Sequence, residues 1–190
     1  MDSTPSDEAA AWCVLLRAPG VGCQTLNPLL VGGMPATRLI AEPPATLPAA
    51  LRDYLRSPDW PGAETDMRWL EQPRNYLLRI TDPGYPALLR ELSSPPSALF
   101  LHGDPELLGL PQLAIVGSRN PTTGGRRTAG EFAGFLAASG LIVASGLATG
   151  IDAAAVSYTH LRAHETSSMI SYAVFCLKKR GGGGGGGGGG

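Results

Sequence analysis

Two short polar segments concentrate the residues able to do chemistry. The first, Gly117-Ser118-Arg119-Asn120-Pro121-Thr122-Thr123-Gly124-Gly125, places a guanidinium just past an apolar run and is followed by Arg126 and Arg127. The second, Ser145-Gly146-Leu147-Ala148-Thr149-Gly150-Ile151-Asp152, offers a hydroxyl, glycine amides and one carboxylate. A cation at a helix N-terminus opposes the macrodipole, so this placement makes sense where an anion such as phosphate sits beside it. Ser145 and Gly146 would give such a phosphate a hydroxyl and an amide, although Ser145 serves equally as a cap of the turn. Asp152 would repel a phosphate directly beside it, and its role is read as holding the loop. Arg126 and Arg127 are secondary contacts or the solvated first turn of a helix. Neither segment has the G-x-G-x-x-G spacing of a dinucleotide site, and the lysine of a Walker loop is absent, which argues against phosphoryl transfer. No catalytic residue, cofactor or metal is assigned.

The elements that position these segments are legible on both sides. LAIV at 113–116 and LIVA at 141–144 are continuous apolar runs of strand length, as expected where both faces of a parallel sheet are covered. Between them Ala129, Phe132, Ala133, Leu136 and Ala137 recur on one helical face that Gly140 ends. The result is a βαβ unit whose polar loops lie at the carboxyl ends of its strands, where open parallel sheets bind ligands. Upstream, NYLLRI at 75–80 and ALFLH at 98–102 suit strands, with a helix over 85–92 and a turn with a short helix over 103–108. This alternation predicts one parallel α/β sheet.

The N-terminal part reads as helices. One runs from Ser6 to Pro19, with Asp7 and Glu8 in its first turn; a second passes through Leu26, Leu29 and Leu30 to Gly32 and Gly33; a third covers 47–55. The Pro19-Gly20-Val21-Gly22 link resembles a helix-hairpin-helix turn, but no basic residue sits in it, and an αα-hairpin turn explains it equally. The predicted organisation is a helical domain over 1–62, ending near Pro61-Gly62, the first part of a Rossmann-like domain over 63–155, and a disordered tail over 156–190.

The tail differs in composition. Both lysines, Lys178 and Lys179, lie in it, and it ends in ten consecutive glycines. Residues 156–166, VSYTHLRAHET, are similar to the translation of a sequencing-library adapter, and residues 170–179, ISYAVFCLKK, to the other end of one, with the glycines corresponding to a run of G. His160 and His164 have the i, i+4 spacing of a zinc site, yet on this reading they carry no selected chemistry, and no site residue is placed beyond 155. Residues 1–155 hold eleven arginines against fifteen carboxylates, a net −4, whereas the whole chain is −1. That balance excludes a globally basic nucleic-acid coat and leaves room for a local patch. Cys13, Cys23 and Cys176 form neither a metal-knuckle spacing nor a disulfide framework. The acidic start lacks a secretory pattern, and no apolar stretch approaches the roughly 18 residues that span a bilayer, so a cytoplasmic protein is expected.

Asp82-Pro83-Gly84-Tyr85-Pro86, Leu88 to Leu92, Pro95-Pro96, Leu99-Phe100-Leu101 and Gly103-Asp104, followed by IVGSRNPT, Gly124 and SGLATGIDAAA, together resemble the DNA-processing protein A family (DprA, also called Smf). The resemblance covers nearly all of residues 9–155. It implies an incomplete Rossmann-like sheet preceded by a small helical domain, and a non-enzymatic parent that binds single-stranded DNA, forms homodimers and loads RecA during natural transformation. It also implies that Gly117, Ser118, Arg119, Ser145, Gly146 and Gly150 lie in the DNA-binding pocket. The family pattern continues with a histidine where this chain has Val156, so the rest of the sheet, with its dimer and RecA surfaces, is expected to be missing. Two alternatives stand beside this reading. One is a nucleoside-phosphate hydrolase resembling the lysine-decarboxylase-like LOG family, whose P-G-G-x-G-T loop does not occur before residue 155. The other is a chimaeric product without activity, whose interrupted sheet exposes an apolar edge.

Overall fold

The computed structural model describes residues 5–146, 148–163 and 174–175. Five helices come first: α1 (Pro5–Leu16), α2 (Cys23–Val31), α3 (Ala36–Ala41), α4 (Ala49–Arg56) and α5 (Trp60–Leu70). Then follow β1 (Asn75–Arg79), α6 (Ala87–Arg90), β2 (Ala98–His102), a 3-10 turn (Pro105–Gly109), β3 (Gln112–Ala114), α7 (Thr123–Ala138), β4 (Ile142–Ala144), α8 (Ile151–Ala163) and β5 (Val174–Phe175).

α1 is the centre of the N-terminal part. Ala11, Trp12, Cys13, Val14 and Leu15 are all buried, so the helix is enclosed on every side in its second half. Its polar ends fasten the neighbours. α3 begins after Pro35, which cannot cap it; the Glu8 carboxylate does so instead, accepting from the Ala36 amide at 2.7 Å, the Thr37 amide at 3.1 Å and the Thr37 hydroxyl at 2.9 Å. At the other end Arg17 donates to Asp59 at 2.8 Å and to Asp66 at 2.5 Å. Asp59 in turn caps α5 by accepting from the Gly62 amide at 3.0 Å. Pro61 thus opens a helix, as proline does in a first turn, and Pro61-Gly62 lie inside α5 rather than between two units.

The helices and the first two strands share one core. Leu15, Leu26, Leu39 and Leu51 belong to the same buried cluster as Ile80, Tyr85, Leu99, Leu101 and Leu108. β1 and β2 pair antiparallel, with Leu77 opposite Phe100, which corrects the expected parallel arrangement. The reason is local. The Arg79 amide donates to Asp82 at 2.7 Å and turns the chain directly after β1, while Tyr85 donates to the Pro96 carbonyl at 2.8 Å and Arg90 to the Asp82 carbonyl at 2.6 Å. The 80–97 segment folds on itself, and its helix is a single turn, too short to carry a crossover back over the sheet.

β3 and β4 pair in parallel, with Leu113 opposite Val143, and form the expected βαβ unit with α7. The apolar runs are less covered than their composition suggests. β3 is exposed along its length, Val116 is 72% exposed, and Phe132, assigned to the inner face of α7, is 51% exposed. The buried face of α7 is Gly130, Ala133, Gly134 and Leu136, and its two glycines and alanine let it lie close against α8. Among the described residues nothing covers the remaining face of β3.

Two pieces of the segment after Ala155 are described. α8, begun within Ile151–Ala155, propagates to Ala163 because each added residue gains a hydrogen bond once the first turn exists. Val174–Phe175 pair antiparallel with β2, an edge that offers unpaired amides and carbonyls to an extended segment. The rest of the predicted disordered tail, with His164 and Cys176, lies outside the described residues. No helix among the described residues is long and apolar enough to cross a membrane.

The core makes one chemical prediction. Cys13 is fully buried, and burial, reinforced by the nearby Asp66 carboxylate and opposed by Arg17, pushes its thiol pKa up to about 12. Because the folded value is raised, the protonated thiol favours the folded state fully below its unfolded pKa of about 8.5, and that contribution fades as pH climbs towards 12. Iodoacetamide at about pH 8.5 is expected to alkylate the half-buried Cys23 first and Cys13 at a rate limited by unfolding. Equal labelling rates, read by peptide mass spectrometry, would contradict this burial.

Candidate nucleic-acid interface

The loops after β3 and β4 meet at the carboxyl ends of the two parallel strands, and glycine makes their contact possible. Gly150 has φ +102°, and a Cβ there would stand 2.2 Å from the Ser118 carbonyl oxygen and 2.8 Å from the Arg119 Cα and carbonyl carbon. The Ile151 amide donates to that Ser118 carbonyl at 3.1 Å. Gly117 lies against the Ile151 side chain, where a Cβ would approach within 2.8 Å. Two loops separated by some thirty residues of helix and strand are thus in backbone contact.

Asp152, in the first turn of α8 and only 5% exposed, joins them electrostatically. Its Oδ1 accepts from the Gly117 amide at 3.1 Å and its Oδ2 from the Gly146 amide at 3.2 Å. Its carboxylate thus bridges the loop after β3 and the loop after β4. In this geometry the single N–H of Gly146 points at that carboxylate. The Ser145 hydroxyl is buried, with no hydrogen-bond partner among the described residues, and is not presented to solvent as a phosphate donor. Ser118 is exposed and its Oγ accepts from the Asn120 amide at 3.1 Å, closing a local turn.

The cations stand outside this locked pair. Arg119, Arg126 and Arg127 are all exposed. Arg127 reaches Glu131 at 3.7 Å one turn along α7, whereas no ion pair engages Arg119 or Arg126 among the described residues. α7 carries no acidic residue in its first turn, and Thr122 caps it by accepting from the Gly125 amide at 3.1 Å. Thr122 was findable as a threonine directly before a helical pattern, but the packing of Ile151 under Gly117 is a long-range contact with no local signal. Among the described residues no three His, Cys, Asp or Glu side chains gather to hold a metal.

The arrangement is a pair of loops joined through Asp152, with the guanidinium groups of Arg119 and Arg126 exposed beside them, suited to holding an extended anion on its surface. Comparison with known proteins agrees on the family. Residues 76–176 match the model of the DNA recombination-mediator protein A family, a range that continues past Ala155. Protein Smf of Escherichia coli is 40% identical over 92 residues, covering 48% of this chain and 25% of that protein. DNA processing protein DprA of Bacillus subtilis is 38% identical over 74 residues, covering 38% and 25%. The chain therefore aligns with about a quarter of the length of these relatives. The crystal structure of DprA from Streptococcus pneumoniae superposes on 87% of this chain and 55% of its own, with a TM-score of 0.59 and 25% identity. A family match over more than half of the residues, with the same fold in a solved relative, establishes that the chain belongs to the DNA recombination-mediator protein A (DprA/Smf) family.

Proposed function

We propose that the two loops form a sequence-tolerant contact surface for single-stranded DNA, serving a cytoplasmic, non-enzymatic protein that acts as a homodimer and loads RecA. The observation that carries the DNA reading is the pairing of an Asp152-clamped loop pair with two cations, Arg119 and Arg126, that no carboxylate neutralises among the described residues. In this reading Gly117, Gly146 and Gly150 shape the surface, Ser118 and Arg119 meet the sugar-phosphate backbone, and Ser145 packs beneath. Guanidinium contact to phosphate supplies affinity without reading bases.

The test is a salt series of fluorescence anisotropy on an oligo-dT strand. Arg119→Ala is expected to weaken binding roughly tenfold near 0.1 M salt and to lower the slope of log K against log salt by about 0.7, the loss of one neutralised phosphate on a single strand. Affinity and slope both unchanged in the variant would remove the assignment.

A further inference from the structure

We infer that Ile151 is a positioning residue for the DNA surface, a wedge whose branched side chain sets where the Arg119 loop stands; the inference rests on the DNA-binding reading above. The loop leaves β3 near Gly117, carries Arg119 and re-enters regular structure in the first turn of α7, at Gly125. Both of its ends lie against one side chain from α8. A carbon added at Gly117 would stand 2.8 Å from the Cβ and Cγ1 of Ile151 and 2.9 Å from its Cγ2. One added at Gly125 would stand 3.8 Å from its Cδ1. Between these two points the Ile151 amide donates to the Ser118 carbonyl at 3.1 Å.

Core burial does not account for this residue. Ile151 is only half-buried, and among the described residues it belongs to neither buried apolar cluster. What its branches meet at Gly117 is backbone. Two substituents on Cβ restrict the rotamer, so Cγ1 and Cγ2 present a stiff face to that backbone. The neighbouring Asp152 fixes the direction of the Gly117 amide, at 3.1 Å, and Ile151 fixes how closely the end of β3 can approach α8. Arg119 is exposed and two residues further on, so a shift of the Gly117 backbone passes directly to its guanidinium. A smaller wedge leaves Arg119 in several positions, which must be ordered when a strand binds.

The test measures oligo-dT affinity by anisotropy for Ile151→Ala, Ile151→Val and Ile151→Leu in the 190-residue chain, each alone and combined with Arg119→Ala. Ile151→Ala is expected to weaken binding about fivefold, but by less than about twofold where Arg119 is already alanine, since its effect passes through that guanidinium. Valine keeps the branched Cβ and should retain most of the affinity. Leucine has the carbon count of isoleucine without the branch and should bind like alanine. Filling of space alone predicts the opposite order, with leucine ahead of valine. Leucine equal to or tighter than valine, full affinity in Ile151→Ala, or an alanine effect of the same size with and without Arg119 would each overturn the inference while leaving strand binding in place. If Ile151→Ala abolishes hydrogen-exchange protection in α7, the order of valine and leucine decides alone. No binding by the unsubstituted chain would instead remove the DNA-binding reading, and the inference with it.

Discussion

Gly150→Ala is expected to unfold the β3–α7–β4–α8 part of the chain while leaving the N-terminal helices intact. At φ +102° any L side chain is strained, and here the added carbon would also stand 2.2 Å from the Ser118 carbonyl oxygen. The obstacle is backbone, so no rotamer change relieves it. The Ser118–Arg119 peptide must move, and the Ile151 amide then loses its 3.1 Å bond to Ser118. Strain, clash and the lost bond together amount to about 4 kcal/mol or more. The C-terminal part has little with which to absorb that. Among the described residues its buried apolar side chains are Ala133, Leu136 and Ala155, against the leucine-rich cluster of the helical part. Hydrogen exchange over residues 112–120 and 141–157 should rise to the unprotected rate, with protection in α1 retained. Gly140→Ala separates strain from collision: φ there is +82°, but nothing lies within 4 Å of the added carbon, so it should cost about 1 kcal/mol. Equal cost at the two glycines would show that the loops are not in contact.

Much of this architecture is legible from local signals, and what is missed depends on distant residues. α1, α2, β2, α7 and β4 follow from apolar periodicity, apolar runs and glycine stops, because burial and backbone freedom leave their mark within a few residues. The loops after β3 and β4 are visible for the same reason. Three features are not. α5 begins at a proline and glycine that mimic a linker, and although its Asp59 cap is local, the Arg17 bridge that fixes Asp59 comes from across the fold. Glu8 reads as a favourable charge in its own helix, whereas its carboxylate caps α3. The antiparallel direction of β1 and β2 depends on a turn built by Asp82 and closed by Tyr85 and Arg90, whose partners sit about ten residues away. In the site, residue types were legible but the direction of each amide was not. Glycine spacing shows where backbone is free to turn, and a buried carboxylate decides where its hydrogens point.

That distinction sets the second large effect, at Asp152. Its side chain holds two backbone amides from different loops, and Asp152→Ala leaves both unpaired in a site where the residue is only 5% exposed. Hydrogen bonds to a charged acceptor contribute about 1.5–3 kcal/mol each, so a loss of about 3–5 kcal/mol is expected. Asp152→Asn should recover part of it, since the amide keeps one acceptor oxygen but turns an NH2 group towards the other donor. The decisive measurement is the sign of the change in DNA affinity. Asp152 is an anion beside a surface proposed to hold phosphates. If it acted only through its charge, removing it would tighten binding to oligo-dT, most strongly at low salt. If it acts by fixing the loops, removing it should weaken binding despite the more favourable charge, because Arg119 is then carried by a segment without a fixed conformation and must be ordered on binding. Weaker binding is expected at every salt concentration, by tenfold or more for alanine and less for asparagine, with faster exchange of the Gly117 and Gly146 amides in the same order. Tighter binding by Asp152→Ala, with those amides still protected, would mean that something other than this carboxylate holds the two loops together.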